Sequence, residues 1–108
     1  MSTLVIHAPS KKTQQENKRS FHQTFESGVG DNYAISKNLF YRLSAGCNVI
    51  LLDKWKDLRA EGTLVRLEKT EKAGNGLQRY DVQIENLRMV PYKPENLNRN
   101  GVAVITQV

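Results

Sequence analysis

Residues 48–87, NVILLDKWKDLRAEGTLVRLEKTEKAGNGLQRYDVQIENL, decide the fold. Asn48-Val49-Ile50-Leu51-Leu52-Asp53 is a continuous apolar run of the kind that forms a strand buried on both faces. Lys54-Trp55-Lys56-Asp57 is polar apart from its tryptophan and reads as a turn. Residues 58–70 form the longest strand candidate, with Gly62 marking a bulge or sharp bend. Ala73-Gly74-Asn75-Gly76 is the strongest hairpin signal, because Asn-Gly and the neighbouring glycine accept positive φ. Residues 77–87 then alternate. Tyr80, Val82 and Ile84 face one way, while Arg79, Asp81, Gln83 and Glu85 face the other. Met89-Val90-Pro91 closes the segment.

The flanking sequence adds two strands and two helices. TLVIHA (residues 3–8) is short, apolar and rich in β-branched residues, and Pro9 ends it, so it reads as a buried first strand. Thr13 followed by Glu16 has capping-box spacing, and Gly28 is a C-terminal stop, so a helix is predicted over 14–27. Phe21 and Phe25 are i,i+4 neighbours that pin its last two turns to the core. Its first two turns carry no apolar residue. Gly28-Val29-Gly30-Asp31-Asn32 reads as a turn-rich loop leading into Tyr33-Ala34-Ile35. Ser36 caps a second short helix bearing Leu39, Phe40 and Leu43, which Gly46 stops. Residues 92–100 form a polar loop, and residues 101–106 (GVAVIT) a final buried strand. The expected order is β-α-α-β-β-β-β. The expected class is α+β: a small mixed, mostly antiparallel curved sheet or pseudo-barrel with two helices near one end.

Composition narrows the class of function. The chain has 108 residues, enough for one domain over 1–108, with 39% hydrophobic and 25% charged residues. No apolar run exceeds Val49–Leu52, against the roughly 20 residues that span a bilayer, so no membrane partner is expected. The amino-terminal residues lack the pattern of a secretory signal, and the single Cys47 cannot form an internal disulfide, so the expected compartment is cytoplasmic. Sixteen basic against 11 acidic residues give a net charge of +5, which biases the chain towards polyanions. The same charge also serves plain solubility.

Leu43-Ser44-Ala45-Gly46-Cys47-Asn48-Val49-Ile50-Leu51-Leu52, followed by Arg59-Ala60-Glu61-Gly62-Thr63-Leu64-Val65, resembles the PUA-like superfamily, in particular its small EVE- and ASCH-type members. The resemblance covers residues 33–87 and is one of residue types. It implies a small mixed-β pseudo-barrel with helices at its mouth, in a superfamily whose members mostly bind RNA or DNA or recognise modified bases. Cys47 stands where the family usually carries an acidic residue, and the amino-terminal tryptophan of EVE-type domains has no counterpart. No family binding motif matches position by position, so no binding residue is transferred.

Chemistry other than binding finds little support. His7, His22 and Cys47 are the only strong nitrogen or sulfur ligands, and no two fall at zinc spacing, so neither metal nor cofactor is expected. Cys47 opens an apolar strand and reads as a packed thiol. His7 reads as half-buried and His22 as exposed. No carboxylate pair is marked out for acid–base work. Gly28-Val29-Gly30 is too short for a phosphate cradle. The chain therefore reads as a binding module and not as an enzyme.

Nucleic-acid binding asks for cations that neutralise phosphates and flat side chains on which bases stack. Three places interleave the two: Lys11, Lys12, Lys18, Arg19 and His22; then Tyr33, Ser36, Lys37, Asn38, Tyr41 and Arg42; then Lys54, Trp55 and Lys56. Trp55 is either a stacking platform or a lid over the edge of the core. Tyr92, Lys93, Asn96, Asn98, Arg99 and Asn100 form a fourth group, whose asparagines either read bases or build the loop. A cleft between helices and sheet edge would gather Tyr33, Ser36, Trp55 and Arg79. The expected partner is RNA or DNA. The rival expectation is a homo-oligomer or protein adaptor that uses Leu87, Met89, Val90 and Tyr92 as an apolar patch.

Overall fold

Among the described residues, five strand-to-strand ladders, one of them parallel, build the sheet. In the computed structural model, residues 2–9, 19–72, 76–98 and 101–106 are described. The elements are β1 (Ser2–His7), α1 (Phe21–Ser27), β2 (Val29–Ala34), α2 (Lys37–Phe40), β3 (Asn48–Asp53), β4 (Leu58–Lys72), β5 (Gln78–Val90) and β6 (Val102–Thr106). They form one six-stranded sheet of order β2-β5-β4-β3-β1-β6, curled into a half-barrel. Only β1 and β3 run parallel, so the sheet is mixed and mostly antiparallel.

β3 is buried on both faces because each face has its own cover. Val49 and Leu51 join Leu4, Ile6, Leu64, Val82 and Val102 in the inner core. Ile50 and Leu52 point outward, where Val5, Ala103 and Ile105 meet Tyr92 and Leu97. Each fully buried aliphatic side chain contributes roughly 1.5–3 kcal/mol. The segment 91–98 is therefore a strap. The Arg59 guanidinium, buried on the same side, fastens it by donating to the Lys93 carbonyl and the Glu95 carboxylate, each at 2.8 Å.

The β4–β5 hairpin supplies the curl. Its register shifts around Gly62, between Leu64 and Arg66, and between Lys69 and Lys72, and each bulge bends and twists the pair. Gly62 is required at the first bend: a Cβ there would lie 2.7 Å from the Glu85 carbonyl oxygen. The opposing strand turns through Asn86, held at φ 58°. The alternation of Tyr80, Val82 and Ile84 into the core is as the sequence predicts.

Three expectations are corrected. Gly28–Asn32 is not a loop: it leads into and forms most of β2, an edge strand paired antiparallel with β5, so the order is β-α-β-α-β-β-β-β. A bulge between Gly30 and Tyr33, with Asn32 at φ 53°, breaks the two-residue alternation that would have announced a strand. The first helix also does not run unbroken over 14–27. Ser20 is extended and caps α1, forming the capping box with Gln23, three residues further on. The Thr13–Glu16 pair lies outside the described residues. Gly28 does end α1, in the left-handed conformation, and Phe21 and Phe25 pack on the core. Ser36 caps α2, but that helix ends at Phe40, capped at Tyr41, so Leu43 lies beyond it and Gly46 does not stop it; α2 brings Phe40 into a stack on Tyr80 at 5.0 Å.

Candidate nucleic-acid interface

Asp53, the last residue of β3, builds the turn that carries the chain's only tryptophan. Its buried carboxylate accepts hydrogen bonds from the backbone N–H of Trp55 (3.0 Å) and of Lys56 (3.3 Å), as an aspartate opening a tight turn does. Asp57 completes the turn at φ 53° and returns the chain into β4. The backbone under Trp55 is thus fixed from the core side.

The indole stands on that base with 67% of its surface exposed. An indole this exposed does not close over the edge of the core as a lid would. His7 braces it edge-on, the ring centroids 5.1 Å apart and the planes at 89°. His7 is itself fixed, with Nδ1 3.2 Å from the Leu52 carbonyl oxygen and its own carbonyl accepting from the Tyr33 hydroxyl at 3.1 Å. The Lys54 ammonium lies 5.9 Å from the indole centroid, at the outer limit of a cation–π contact, and Lys56 is exposed. A flat ring, two cations and a rigid base are what stacking of an unpaired base on a phosphate-bearing strand requires.

The other sequence-predicted residues do not converge on this point. Tyr33 is buried, and burial with the Asp31 charge beside it pushes its hydroxyl far above the ordinary tyrosine range. A base cannot reach it without opening the fold, so Tyr33 serves the site from beneath, through His7. Arg79 lies beside Ala34, on the part of β5 that faces the far end of β4 from Trp55, and donates to the Asn32 carbonyl at 2.8 Å. Arg19 is paired with Asp31 on the same edge of the sheet. Ser36 is occupied as the cap of α2, and Lys37 is exposed on it. Of the four residues expected at one cleft, Tyr33 and Arg79 sit at neighbouring positions of the β2–β5 ladder, Ser36 caps α2, and Trp55 connects to Tyr33 through His7. Lys11, Lys12, Lys18, Arg99 and Asn100 lie outside the described residues.

The fourth group serves the strap. Asn98 accepts from the Val102 N–H through Oδ1 at 3.1 Å and so starts β6, while Tyr92 packs on the outer cluster. Of the rival apolar patch, Leu87 packs on the inner core, Tyr92 on the outer cluster, and Met89 is exposed. Cys47 is buried and His22 exposed. No group of three metal-ligating side chains occurs among the described residues, and no helix there is long and apolar enough to cross a membrane. Sequence reasoning missed Asp53 and His7. An aspartate entering a polar turn was a readable signal, whereas His7 meets Trp55 only through the β1–β3 pairing. Comparison with protein families, curated proteins and solved structures finds no match to this chain.

Proposed function

We propose that this protein is a nucleic-acid-binding or base-recognising module, built on a PUA-like pseudo-barrel and carrying no catalytic activity, that takes unpaired bases of RNA or DNA on Trp55. The observation that carries the reading is the fixed exposure of Trp55 between two lysines: 67% of its surface is free while its backbone and one ring edge are held. Burial does not explain a tryptophan here, and the net charge of +5 favours a polyanionic partner. Lys54 and Lys56 bind the phosphates flanking the stacked base, with Lys37 and Arg79 adding a more distant basic field. The single cysteine fits a reducing compartment, the cytoplasm.

Trp55 is the only tryptophan, so its fluorescence reports the site directly. Titration with short single-stranded oligonucleotides is expected to quench it, and the affinity falls as salt rises. Trp55→Ala is expected to weaken binding about 5- to 150-fold, the range of one base–aromatic stack of roughly 1–3 kcal/mol. Fluorescence unmoved by any oligonucleotide at low salt overturns the reading.

A further inference from the structure

The sheet has two edges, and they are built differently. β2 is guarded: it is bulged, it carries Asn32 in the left-handed region, and its Asp31 is tied to the backbone and side chain of Arg19. These are the devices that keep an edge from pairing with another chain. β6, Val-Ala-Val-Ile-Thr, has no charged residue, no proline and no bulge in its ladder with β1. No described strand pairs with its outer side.

The direction of each β6 peptide group follows from three hydrogen bonds. The His7 N–H donates to the Gly101 carbonyl at 2.9 Å, so Gly101 faces β1. By alternation Ala103 and Ile105 face β1 too, and Val102, Val104 and Thr106 face outward. Val102 confirms this, because its carbonyl accepts from the Asn98 N–H at 2.9 Å and its N–H donates to Asn98 Oδ1 at 3.1 Å. Asn98 thus occupies the first outward position, and Val104 and Thr106 offer the next two.

We propose that β6 pairs antiparallel with β6 of a second copy of this chain. The register that uses both offered residues sets Val104 opposite Thr106 of the second copy, with the twofold axis at Ile105. Two reciprocal pairs then give four backbone hydrogen bonds. The two Ile105 side chains stand side by side on the outer face, joining the apolar clusters of Val5, Ile50 and Ala103 from both copies. A self-complementary edge of this kind closes as a dimer and does not propagate, because each β6 is consumed and each β2 is guarded.

Two measurements test it. In the twofold register Ile105 faces itself in a non-hydrogen-bonded pair, with Cα atoms about 4.5 Å apart, within disulfide reach. Ile105→Cys is therefore expected to form a covalent dimer on mild oxidation, the native Cys47 being buried. Ala103→Cys places the two sulfurs four residues apart along the strands, about 13 Å, and stays monomeric. In the unmodified chain, hydrogen exchange at the Val104 and Thr106 amides slows as concentration rises, while Ala103 and Ile105 are protected throughout. Crosslinking at position 103 instead of 105, or exchange at Val104 and Thr106 that ignores concentration, overturns the proposal. Neither readout involves nucleic acid, so its failure is separate from that of the Trp55 site.

Discussion

The Tyr33 hydroxyl donates to the His7 carbonyl at 3.1 Å, joining β2 to β1, two strands that are not neighbours in the sheet. The bond crosses the open side of the half-barrel and ends at the residue that braces Trp55. Removing the hydroxyl in Tyr33→Phe is expected to cost about 1 kcal/mol, measured by urea denaturation at neutral pH.

The same residue sets an alkaline limit. A tyrosine in the unfolded chain ionises near pH 10, whereas buried Tyr33 holds its proton to higher pH. Its neutral form is the native one, so its contribution is intact below that pH and is lost progressively as pH rises above it. Tyr80, raised by burial and then by nearby Tyr41, acts in the same direction. The urea midpoint is expected to hold up to pH about 9 and to fall as pH rises through about 10 and beyond, and to fall less steeply in Tyr33→Phe, where Tyr80 alone retains the effect.

The Arg59 guanidinium, its side chain 8% exposed, holds the strap through Glu95 and Lys93. Arg59→Met leaves the Glu95 carboxylate without its buried partner and is expected to cost about 3 kcal/mol. Because the strap covers Ile50 and Leu52, amides of β3 and β6 should exchange faster in this variant than those of the β4–β5 hairpin.

Thr24 is fully buried on α1, and its hydroxyl has no hydrogen-bond partner among the described residues. Thr24→Val replaces the hydroxyl by a methyl in the same shape. It is expected to raise stability by about 1 kcal/mol, read as a higher thermal midpoint, since an unmet buried donor is removed at little steric change.

Gly62→Ala places a Cβ 2.7 Å from the Glu85 carbonyl and 2.9 Å from Ile84 Cγ2. Backbone cannot yield as a flexible side chain does, so a loss of about 1–3 kcal/mol is expected from denaturation curves. Trp55→Ala, by contrast, should change stability by no more than about 0.5 kcal/mol, because the ring is largely in solvent.

The long hairpin, the doubly buried β3 and the two strands at either end of the chain were legible because period, β-branched content and turn residues agreed on them. β2 was not, because Gly30 and Asn32 are the residues of a turn and here serve a bulge. The strap was read as a polar loop since its contribution rests on two residues, Tyr92 and Leu97, spaced apart among polar ones. Of the site, the turn and its tryptophan were legible. The scattered cations around it were gathered by residue type, and residue type does not report that Arg79 and Arg19 are already engaged with Asn32 and Asp31.

β1 lies between β3 and β6, so the first of the described strands borders the last. On a ribosome it must wait, first for β3 and then until every other element has emerged, before its second ladder closes. The β4–β5 hairpin, joined by a short connection, needs no such delay and is the natural nucleus. Until β6 arrives, Val5 and Ile105 have no common surface, and the outer cluster under the strap is incomplete. The nascent chain therefore passes through a stage with one face of β1 and β3 uncovered, the period in which this protein is most exposed to aggregation and to chaperones.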